Sequence, residues 1–496
     1  MKLGPTLAVL GLLTAILVAA RSQMGSVDLR ALQVRVRPGP GLSVPPDLAA
    51  EMQQWPEPGG ANSAAEAELG RLLFFDPILS GPNTISCATC HHPDLGLSDG
   101  LPRSVGAAGE PLPRSAPALW NSTFKPHLTW DGRATSLETQ MLDGPLFDHA
   151  EMDADAEVLE DELRAVPEYA QLFEELYGEV SLDALSQAIA AFQRTLVSQD
   201  SAFDRYAAGD LYALTGAQRR GFEVFRGSTT NCIRCHTLPT FANEEFKVIG
   251  VRDDELPFDP GRGGITGDPA DMGAFAVPTL RNVALSAPYM HNGVEVDLNW
   301  AISFYLNGGG DNQNIPLSRL DANIRPFNLT ARELADLEAF LLALTDESAL
   351  PAIPDSLPSG LEPIAPQANP ARQRVQEAAA LPPGPARTHH VTDRDSIQEA
   401  IDRARPGDTI IVDPGDYYET LDIDVANLTI VGEDAALVGR PFTPTGIVIR
   451  NNDVAIESLT VRGFAEHTID VKGAHSLHLR NVILNDSVVS ADLAQP

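Results

Sequence analysis

Apolar residues recur every three or four positions through much of the first 346 residues, and this spacing predicts α-helices. Several of these stretches follow a Ser or Thr that stands three residues before Glu or Gln, a pattern typical of a helix N-terminus. The predicted helices begin after Ser63, Thr135, Thr215 and Thr330 and also cover residues 158–177 and 182–196. This part of the chain is therefore predicted to be mainly α-helical.

The pattern changes near residue 389, where short β-branched runs alternate with Asn and Gly. Leu428–Gly432 and Leu459–Gly463 are similar, and repeats at roughly 20–30 residues are typical of solenoid coils. Residues 396–412 resemble the start of right-handed parallel β-helix proteins of the pectin-lyase type. We therefore predict that residues 389–496 form a partial right-handed β-helix, with a small β-sandwich as the alternative. The predicted strands cover 409–412, 428–431, 447–449, 454–461, 468–471 and 477–484, and the last coil leaves an open edge.

Two other segments are distinguished by their composition. Residues 1–22 contain Lys2, followed by an apolar stretch that ends in small residues. This pattern predicts a secretory signal peptide and export to a bacterial periplasm. An uncleaved membrane anchor is the alternative. Residues 347–388 contain nine prolines, which predict an extended, semi-stiff linker.

The net charge of the chain limits the classes of partner that it can bind. Its 496 residues carry a net charge of −33. An excess of carboxylates repels phosphates, so the composition argues against a nucleic-acid partner. A small basic electron carrier would instead be attracted to such a surface.

All four cysteines lie in two copies of one motif, Cys87-Ala-Thr-Cys90-His91 and Cys232-Ile-Arg-Cys235-His236. In Cys-x-x-Cys-His the thiols attach a haem covalently and the His binds its iron. Two disulfides, a four-cysteine zinc site or a redox dithiol are the alternatives, but none requires a His after both pairs. The motifs predict two c-type haems in two α-helical haem domains, residues 23–205 and 206–346.

Residues 45–346 resemble the bacterial di-haem cytochrome c peroxidase family, which includes MauG. Ordered motifs across both predicted haem domains carry the resemblance. They are Leu69–Asp76, Ile85–His91, Ala116–Asn121, Trp130–Arg133, Glu151-Met152, Cys232–His236, Val277–Val283, Ala287–Gly293 and Phe304–Gly309.

The resemblance implies roles for individual residues. Peroxide would react at the N-terminal haem, bound by His91, while the C-terminal haem, bound by His236, would accept electrons. Trp130 would lie between the two haems. Glu151 and Gln140 stand where the family has the distal Glu and Gln that serve peroxide cleavage. A solvated acid in an acidic stretch is the alternative for Glu151.

Two departures from the family concern the iron ligands. Many members cap the resting N-terminal iron with a His some sixteen residues after the motif, but residues 94–110 contain none. At the C-terminal haem, ordinary members have Met where this chain has Tyr305, as MauG does. Tyr ligation lowers the reduction potential, whereas Met ligation raises it. Met290 is the rival ligand, and a core tyrosine is the other alternative for Tyr305.

Two further expectations come from the resemblance. A calcium ion would lie between the haems, bound by the carbonyls of Ala276 and Pro278. Because Ser115 replaces the family's Asn ligand, a weaker or water-mediated ion is expected. Arg281 is expected to pair with a haem propionate, since a buried carboxylate needs a bidentate partner; a surface salt bridge is the alternative.

Three functions are compatible with this reading. The first is a periplasmic peroxidase that reduces hydrogen peroxide with electrons from a small cytochrome c or cupredoxin. The second oxidises a protein or organic substrate, as MauG does. The third is electron transfer without peroxide chemistry, for which only His127 and His149 remain as extra ligands near the first haem. Contact of the β-helix with a carbohydrate or a surface stays open, as does a homodimer.

Overall fold

The computed structural model describes residues 27–29, 32–35, 44, 46–58, 63–210, 213–253, 256–379, 386–440, 442–451, 453–472, 476–485 and 489–492. The predicted signal peptide, residues 1–22, lies outside them. The chain divides into two compact units. The helical unit comprises residues 47–208 and 217–379, and the solenoid unit comprises the described parts of 1–46, 209–216 and 380–496. Within the described ranges, no helix has the length and apolar character needed to cross a membrane.

The helices lie mainly in the first of these units. They are α1 (Pro46–Glu51), α2 (Ala64–Phe75), α3 (Cys87–Cys90), α4 (Leu137–Leu142), α5 (Ala156–Ala165), α6 (Pro167–Tyr177), α7 (Leu182–Gln193), α8 (Ala202–Ala207), α9 (Gly216–Arg226), α10 (Gly263–Thr266), α11 (Leu298–Leu306), α12 (Ala331–Leu342), α13 (Ala371–Ala378) and α14 (Ile397–Arg403). Short 3₁₀ helices cover Pro77–Leu79, Pro93–Leu95, Ser122–Phe124, Cys232–Arg234, Pro269–Asp271, Val283–Leu285 and Leu317–Arg319.

The strands lie mainly in the solenoid unit. They are β1 (Val27–Leu29), β2 (Leu32–Arg35), β3 (Phe246–Lys247), β4 (Phe275–Ala276), β5 (Thr388–Val391), β6 (Thr409–Val412), β7 (Gly415–Tyr417), β8 (Leu421–Ile423), β9 (Thr429–Val438), β10 (Thr445–Ile449), β11 (Val454–Arg462), β12 (His467–Lys472), β13 (Ser476–Arg480), β14 (Val482–Asn485) and β15 (Val489–Asp492). Only β3 and β4 belong to the helical unit, where they pair antiparallel.

Helix boundaries follow local capping chemistry. Ser63 and Thr330 close the capping boxes predicted for α2 and α12. The cap of α4 is Ser136 rather than Thr135, because the Ser136 hydroxyl accepts the Thr139 N–H. The helix predicted over 158–177 is two helices, since Pro167 has no N–H to continue α5 and instead begins α6.

The core of the helical unit forms where α2 crosses α7. Leu69, Leu73 and Ile189 are buried together there. Gly70 permits the close approach, because a Cβ at this position would lie 1.8 Å from the Ala188 carbonyl oxygen. The helix that leads to the first cysteine motif is thereby fixed to the scaffold.

The segment predicted as a linker, residues 347–388, is instead folded back over the helical unit as far as Ala379. We call residues 347–379 the strap. Its Leu357 is buried against the cluster that contains Trp120. His92 Nε2 lies 3.0 Å from the Ala365 carbonyl oxygen, which ties the strap to the neighbour of His91. The prolines keep the strap extended, but apolar packing and side-chain hydrogen bonds hold it to the protein.

The two predicted haem domains thus belong to one compact unit, and Asn369 bridges them. Its amide nitrogen donates to the carbonyl oxygens of Asp94 and Leu285, at 2.9 Å each. Asp94 follows the first cysteine motif, whereas Leu285 lies in the second predicted haem domain.

The second unit is a parallel β-solenoid of about four coils, as predicted. Strands β6, β9, β11 and β13 pair in parallel, and a second sheet joins β8, β10, β12 and β15 in parallel. Ile410, Ile430 and Ile456 stand opposite one another and are buried. Such stacked ladders need neighbouring coils for burial. The parallel pairing rules out the β-sandwich, while the right-handed sense stays a prediction.

Both ends of the solenoid are covered. At the first coil, Ile397 and Ile401 of α14 enter the core. At the last coil, β1 and β2 pair antiparallel with β14 and β13. In this sheet, the edge that the sequence leaves open is therefore closed by strands from the beginning of the chain, whereas β15 is the outermost described strand of the other sheet.

The Asn369 bridge generates a stability prediction. Asn369→Ala removes both amide donors and leaves two backbone carbonyls with fewer partners, so the free energy of unfolding should fall by about 1–3 kcal/mol. Urea denaturation followed by circular dichroism measures this. Asn307→Ala is the control, because its single side-chain bond is local and exposed. Equal losses in both variants would contradict a bridging role.

Candidate haem-binding cavity

The first cysteine motif lies on the short helix α3, which delivers His91. The His91 Nδ1 atom lies 3.1 Å from the Leu97 carbonyl oxygen. When Nδ1 donates to this carbonyl, Nε2 keeps the lone pair that binds a metal. Burial lowers the pKa of His91, which also favours the neutral imidazole.

The second motif is held in the same way. The His236 Nδ1 atom lies 3.1 Å from the Pro278 carbonyl oxygen and 3.2 Å from that of Phe241. Burial lowers the pKa of His236 to about 4, so the ring is neutral at pH 7. Each His therefore presents Nε2 as the free ligand atom.

Both motifs face one cavity of about 740 Å³ within the helical unit. The predicted site residues that line it are Cys90, His91, Trp130, Gln140, Glu151, Cys232, Cys235, His236, Ala276, Pro278, Met290 and Tyr305. Cys87 stands one turn before the cavity-lining Cys90 on α3. Residues separated by more than 200 positions are thus brought to one apolar chamber.

The alternatives to haem fit this chamber poorly. All four cysteines are free. No cluster of three or more His, Cys, Asp and Glu side chains able to hold a metal occurs in the described ranges. Thiols beside a His with a free Nε2 are instead the groups that hold a c-type haem.

Glu151 lies at the accessible side of the cavity, with about 28% of its side chain exposed. Its carbonyl oxygen accepts the Ala107 N–H at 2.6 Å, which fixes the backbone. Arg133 Nη2 lies 3.6 Å from Glu151 Oε1. Burial raises the pKa of Glu151, so the carboxyl group holds its proton to a higher pH than usual. Glu151 is therefore partly desolvated rather than fully solvated, and its catalytic role stays a prediction.

A chain of charged side chains extends from Glu151 and was not predicted. Arg133 also lies 3.8 Å from Asp131, and Asp131 accepts a hydrogen bond from Arg114 at 2.6 Å. Arg114 makes a bidentate pair with Asp259 at 2.7 and 2.8 Å. Asp131 and Arg133 belong to the Trp-Asp-Gly-Arg motif, which the sequence shows. Nothing in the sequence marks the distant Asp259 as the partner of Arg114.

Trp130 is held at both its side chain and its backbone. The indole Nε1 donates to the Ser115 carbonyl oxygen at 2.9 Å, and the Trp130 carbonyl accepts the Ala276 N–H at 2.9 Å. The ring lines the cavity that contains both His91 and His236. Its position is therefore fixed by groups from both halves of the helical unit.

Both candidate ligands for the second haem reach the cavity. Tyr305 lies near Cys232 and Cys235, and burial raises the pKa of its phenol well above the usual range. Met290 has a left-handed backbone, φ 72°, and its carbonyl accepts the Ser115 hydroxyl at 2.9 Å. The choice between Tyr305 and Met290 stays a prediction.

Comparisons with known proteins can now be set beside this geometry. A family model described as di-haem cytochrome c peroxidase matches residues 64–211. Methylamine utilization protein MauG from Methylorubrum extorquens is 39% identical over 291 residues, which cover 58% of this chain and 80% of that protein. The chain belongs to the di-haem cytochrome c peroxidase family.

Two further relatives agree with this membership. Cytochrome c551 peroxidase from Nitrosomonas europaea is 35% identical over 301 residues, covering 59% of this chain and 85% of that protein. A crystal structure of a MauG-like protein associated with microbial copper homeostasis has a TM-score of 0.55 and 35% identity, covering 60% of this chain and 96% of that one. The chain is thus an oxidoreductase of the cytochrome c peroxidase type, and family membership implies two c-type haems.

The structure corrects the expectation for Arg281. Its guanidinium makes a bidentate pair with Asp204, at 2.8 Å for both contacts, and also donates to the Pro239 carbonyl. Arg281 is buried beneath the Trp55 ring and does not line the cavity. The predicted bidentate pair is thus made with a carboxylate of the protein, Asp204, which also closes the Ser201 capping box of α8. Nothing in the sequence marks Asp204 as the partner of Arg281.

The positions of His127 and His149 do not favour the hypothesis of electron transfer without peroxide chemistry. The His149 side chain is about 87% exposed and pairs with Asp153. His127 lines the cavity, but its ring packs edge-on against Phe246, with centroids 5.8 Å apart. Phe246 belongs to β3 and stands ten residues after His236 in the sequence. Neither His thus reproduces the distal ligand that many peroxidases of this family have.

The charges around Glu151 predict that removing a cation and removing an anion shift its pKa in opposite directions. Arg133 and Arg114 lower the pKa of Glu151, while Asp148 and Asp131 raise it. Arg133→Gln should therefore raise the pKa of Glu151, and Asp148→Asn should lower it. Infrared difference spectra of the carboxyl stretch, taken against the Glu151→Gln protein, measure the pKa directly. Two shifts of the same sign would contradict the assigned contacts.

Proposed function

We propose that this protein is a periplasmic di-haem peroxidase that reduces hydrogen peroxide to two waters with two electrons and two protons. The observation that carries the proposal is Glu151, a partly buried carboxyl group with a raised pKa in the cavity of His91. A carboxyl group with a raised pKa is suited to accept and return a proton. The haem bound through His91 would supply the iron at which the O–O bond breaks.

The protein's own part is to move protons and exclude water. The Glu151 carboxylate would take a proton from one oxygen of the peroxide and return it to the other oxygen, so that this second oxygen can leave as water. Gln140, which lines the same cavity, would orient the peroxide by hydrogen bonding. Arg133 keeps Glu151 directed into the cavity and offsets the cost of its ionisation.

Electrons would enter at the site of His236 and pass to the site of His91. Trp130 is our candidate for the coupling group, because its indole lies in the shared cavity and donates to the Ser115 carbonyl, while its backbone carbonyl accepts the Ala276 N–H. A small cytochrome c or cupredoxin would be the donor, and the net charge of −33 favours a basic one. The signal pattern of residues 1–22 supports the periplasm as the compartment.

The role of Glu151 has a direct test. Glu151→Gln keeps the shape of the side chain but cannot shuttle a proton, so peroxide turnover should fall by roughly 10²–10⁴-fold. Steady-state assays with a reduced cytochrome measure the loss, and optical spectra check that both haems remain unchanged.

The control variant is Glu157→Gln, which removes an exposed acid in the first turn of α5. It should leave turnover unaltered. Unaltered turnover in Glu151→Gln would refute the proton-shuttle assignment.

A second candidate function is the oxidation of a protein or organic substrate, as expected from the likeness to MauG. Tyr305 favours it, since a Tyr ligand lowers the reduction potential of a haem. The absence of His from residues 94–110 also favours it, because the N-terminal iron would be open without prior reduction.

Tyr305→Met tests whether Tyr305 is the iron ligand that favours the second candidate function. The variant should raise the reduction potential of the second haem, within the ~0.8 V span that axial ligands cover. Spectroelectrochemical titration measures this, with Tyr177→Phe, outside the cavity, as the control.

For the MauG-like function, the fully oxidised wild type must react with peroxide before any electron is supplied. A reaction only after one-electron reduction would leave the conventional peroxidase.

A further inference from the structure

The strap binds Asp94, which stands three residues after His91. The Gln367 N–H donates to one oxygen of the Asp94 carboxylate at 2.9 Å, and Arg372 Nη1 donates to the other oxygen at 3.0 Å. The Asn369 amide donates to the Asp94 backbone carbonyl at 2.9 Å. A short segment of the strap thus holds both the side chain and the backbone of Asp94.

His92 gives the strap a second contact with the same stretch. Its side chain is buried, and its Nε2 atom lies 3.0 Å from the Ala365 carbonyl oxygen. The Asp94 N–H donates to His92 Nδ1 at 3.1 Å. Since Nδ1 accepts a hydrogen bond, Nε2 carries the proton and donates to Ala365. We call residues 365–372 the clamp, because their hydrogen bonds hold His92 and Asp94 in place.

The residues that the clamp holds belong to a closed loop, residues 92–97, which we call the proximal loop. The Leu97 N–H donates to the His92 carbonyl at 2.9 Å, and the Leu97 carbonyl oxygen lies 3.1 Å from His91 Nδ1. The orientation of the His91 ring and the basicity of its Nε2 atom both depend on that second contact. A change at the clamp therefore reaches His91 through Leu97.

Two other hydrogen bonds hold the strap and the proximal loop at different places. Ser359 Oγ donates to Asp76 Oδ1 at 2.8 Å, which fixes the strap to the end of α2 rather than to the proximal loop. The Trp120 indole donates to the Gly96 carbonyl at 3.0 Å, which anchors the far end of the loop in the core. The clamp is the part of the strap that fixes the near end of the loop, beside His91.

We propose that Asn369 and Arg372 are positioning residues for the haem bound through His91, because they hold the proximal loop that orients this ligand. The inference rests on His91 as the ligand of the first haem, as the proposed function does, but not on Glu151. A hydrogen bond from Nδ1 makes His91 a stronger electron donor, and a stronger donor stabilises the ferric state. The clamp therefore keeps the reduction potential of the first haem lower than a released loop would.

The first test measures the midpoint potential of the first haem in two variants. Asn369→Ala removes a clamp bond without a change of charge, and Arg372→Gln removes another together with a positive charge. Loss of a nearby cation by itself lowers a haem potential, but Arg372 is about 30% exposed, so solvent screens its charge. Release of the loop acts in the opposite direction, and we expect an upward shift in both variants.

Spectroelectrochemical titration of the haem-loaded full chain measures the shift, and the separate EPR signals of the two haems assign it. Ser359→Ala is the matched control, because it removes a strap bond that ends at α2, and its potential should equal that of the wild type. An unchanged potential in Asn369→Ala would overturn the proposal, and so would a downward shift in Arg372→Gln.

A second measurement shows whether the effect passes through His91. The iron–histidine stretching band in resonance Raman spectra of the reduced protein falls in frequency when the Nδ1 hydrogen bond weakens. Asn369→Ala and Arg372→Gln should lower this frequency, whereas Ser359→Ala should not. A shifted potential with an unchanged band would overturn the positioning role. Peroxide turnover enters neither readout, so failure here is distinct from failure of the proposed function.

Discussion

The candidate haem site depends on one constraint. His91 and His236 must each donate a hydrogen bond from Nδ1 to a backbone carbonyl, because Nε2 then stays free to bind a metal. For His91, the acceptor is the Leu97 carbonyl, and the loop that carries Leu97 is closed by backbone bonds to His92. His92 is held in turn by the Ala365 carbonyl of the strap. A segment 273 residues away from His92 thus contributes to the orientation of its neighbour His91, the predicted haem ligand.

A second dependence concerns charge. Glu151 would be an ordinary acid if it were not desolvated, and it would lose its orientation without a cation beside it. Arg133 supplies that cation, while Asp131 and Arg114 continue the alternation of charges as far as Asp259. Because Asp259 lies in the second half of the unit, the electrostatic environment of Glu151 is set by both halves.

The sequence predicts those features that local patterns encode. The cysteine motifs, the capping boxes at Ser63 and Thr330 and the strand repeats of the solenoid could all be read from short stretches. The partner of Arg281 could not, because several carboxylates are compatible with a bidentate pair and only the fold brings Asp204 to it. The strap was mistaken for a linker for a similar reason, since prolines report an extended backbone but not what the backbone packs against.

The closing of the solenoid by β1 and β2 has a consequence for biosynthesis. These strands pair with β14 and β13, more than 400 residues later in the chain. A ribosome delivers the early strands long before their partners exist, so the closing step must wait until β13 and β14 have been made. Until then, the backbone groups of the early strands lack these partners. Closing of the solenoid is thereby postponed until after the helical unit has been synthesised.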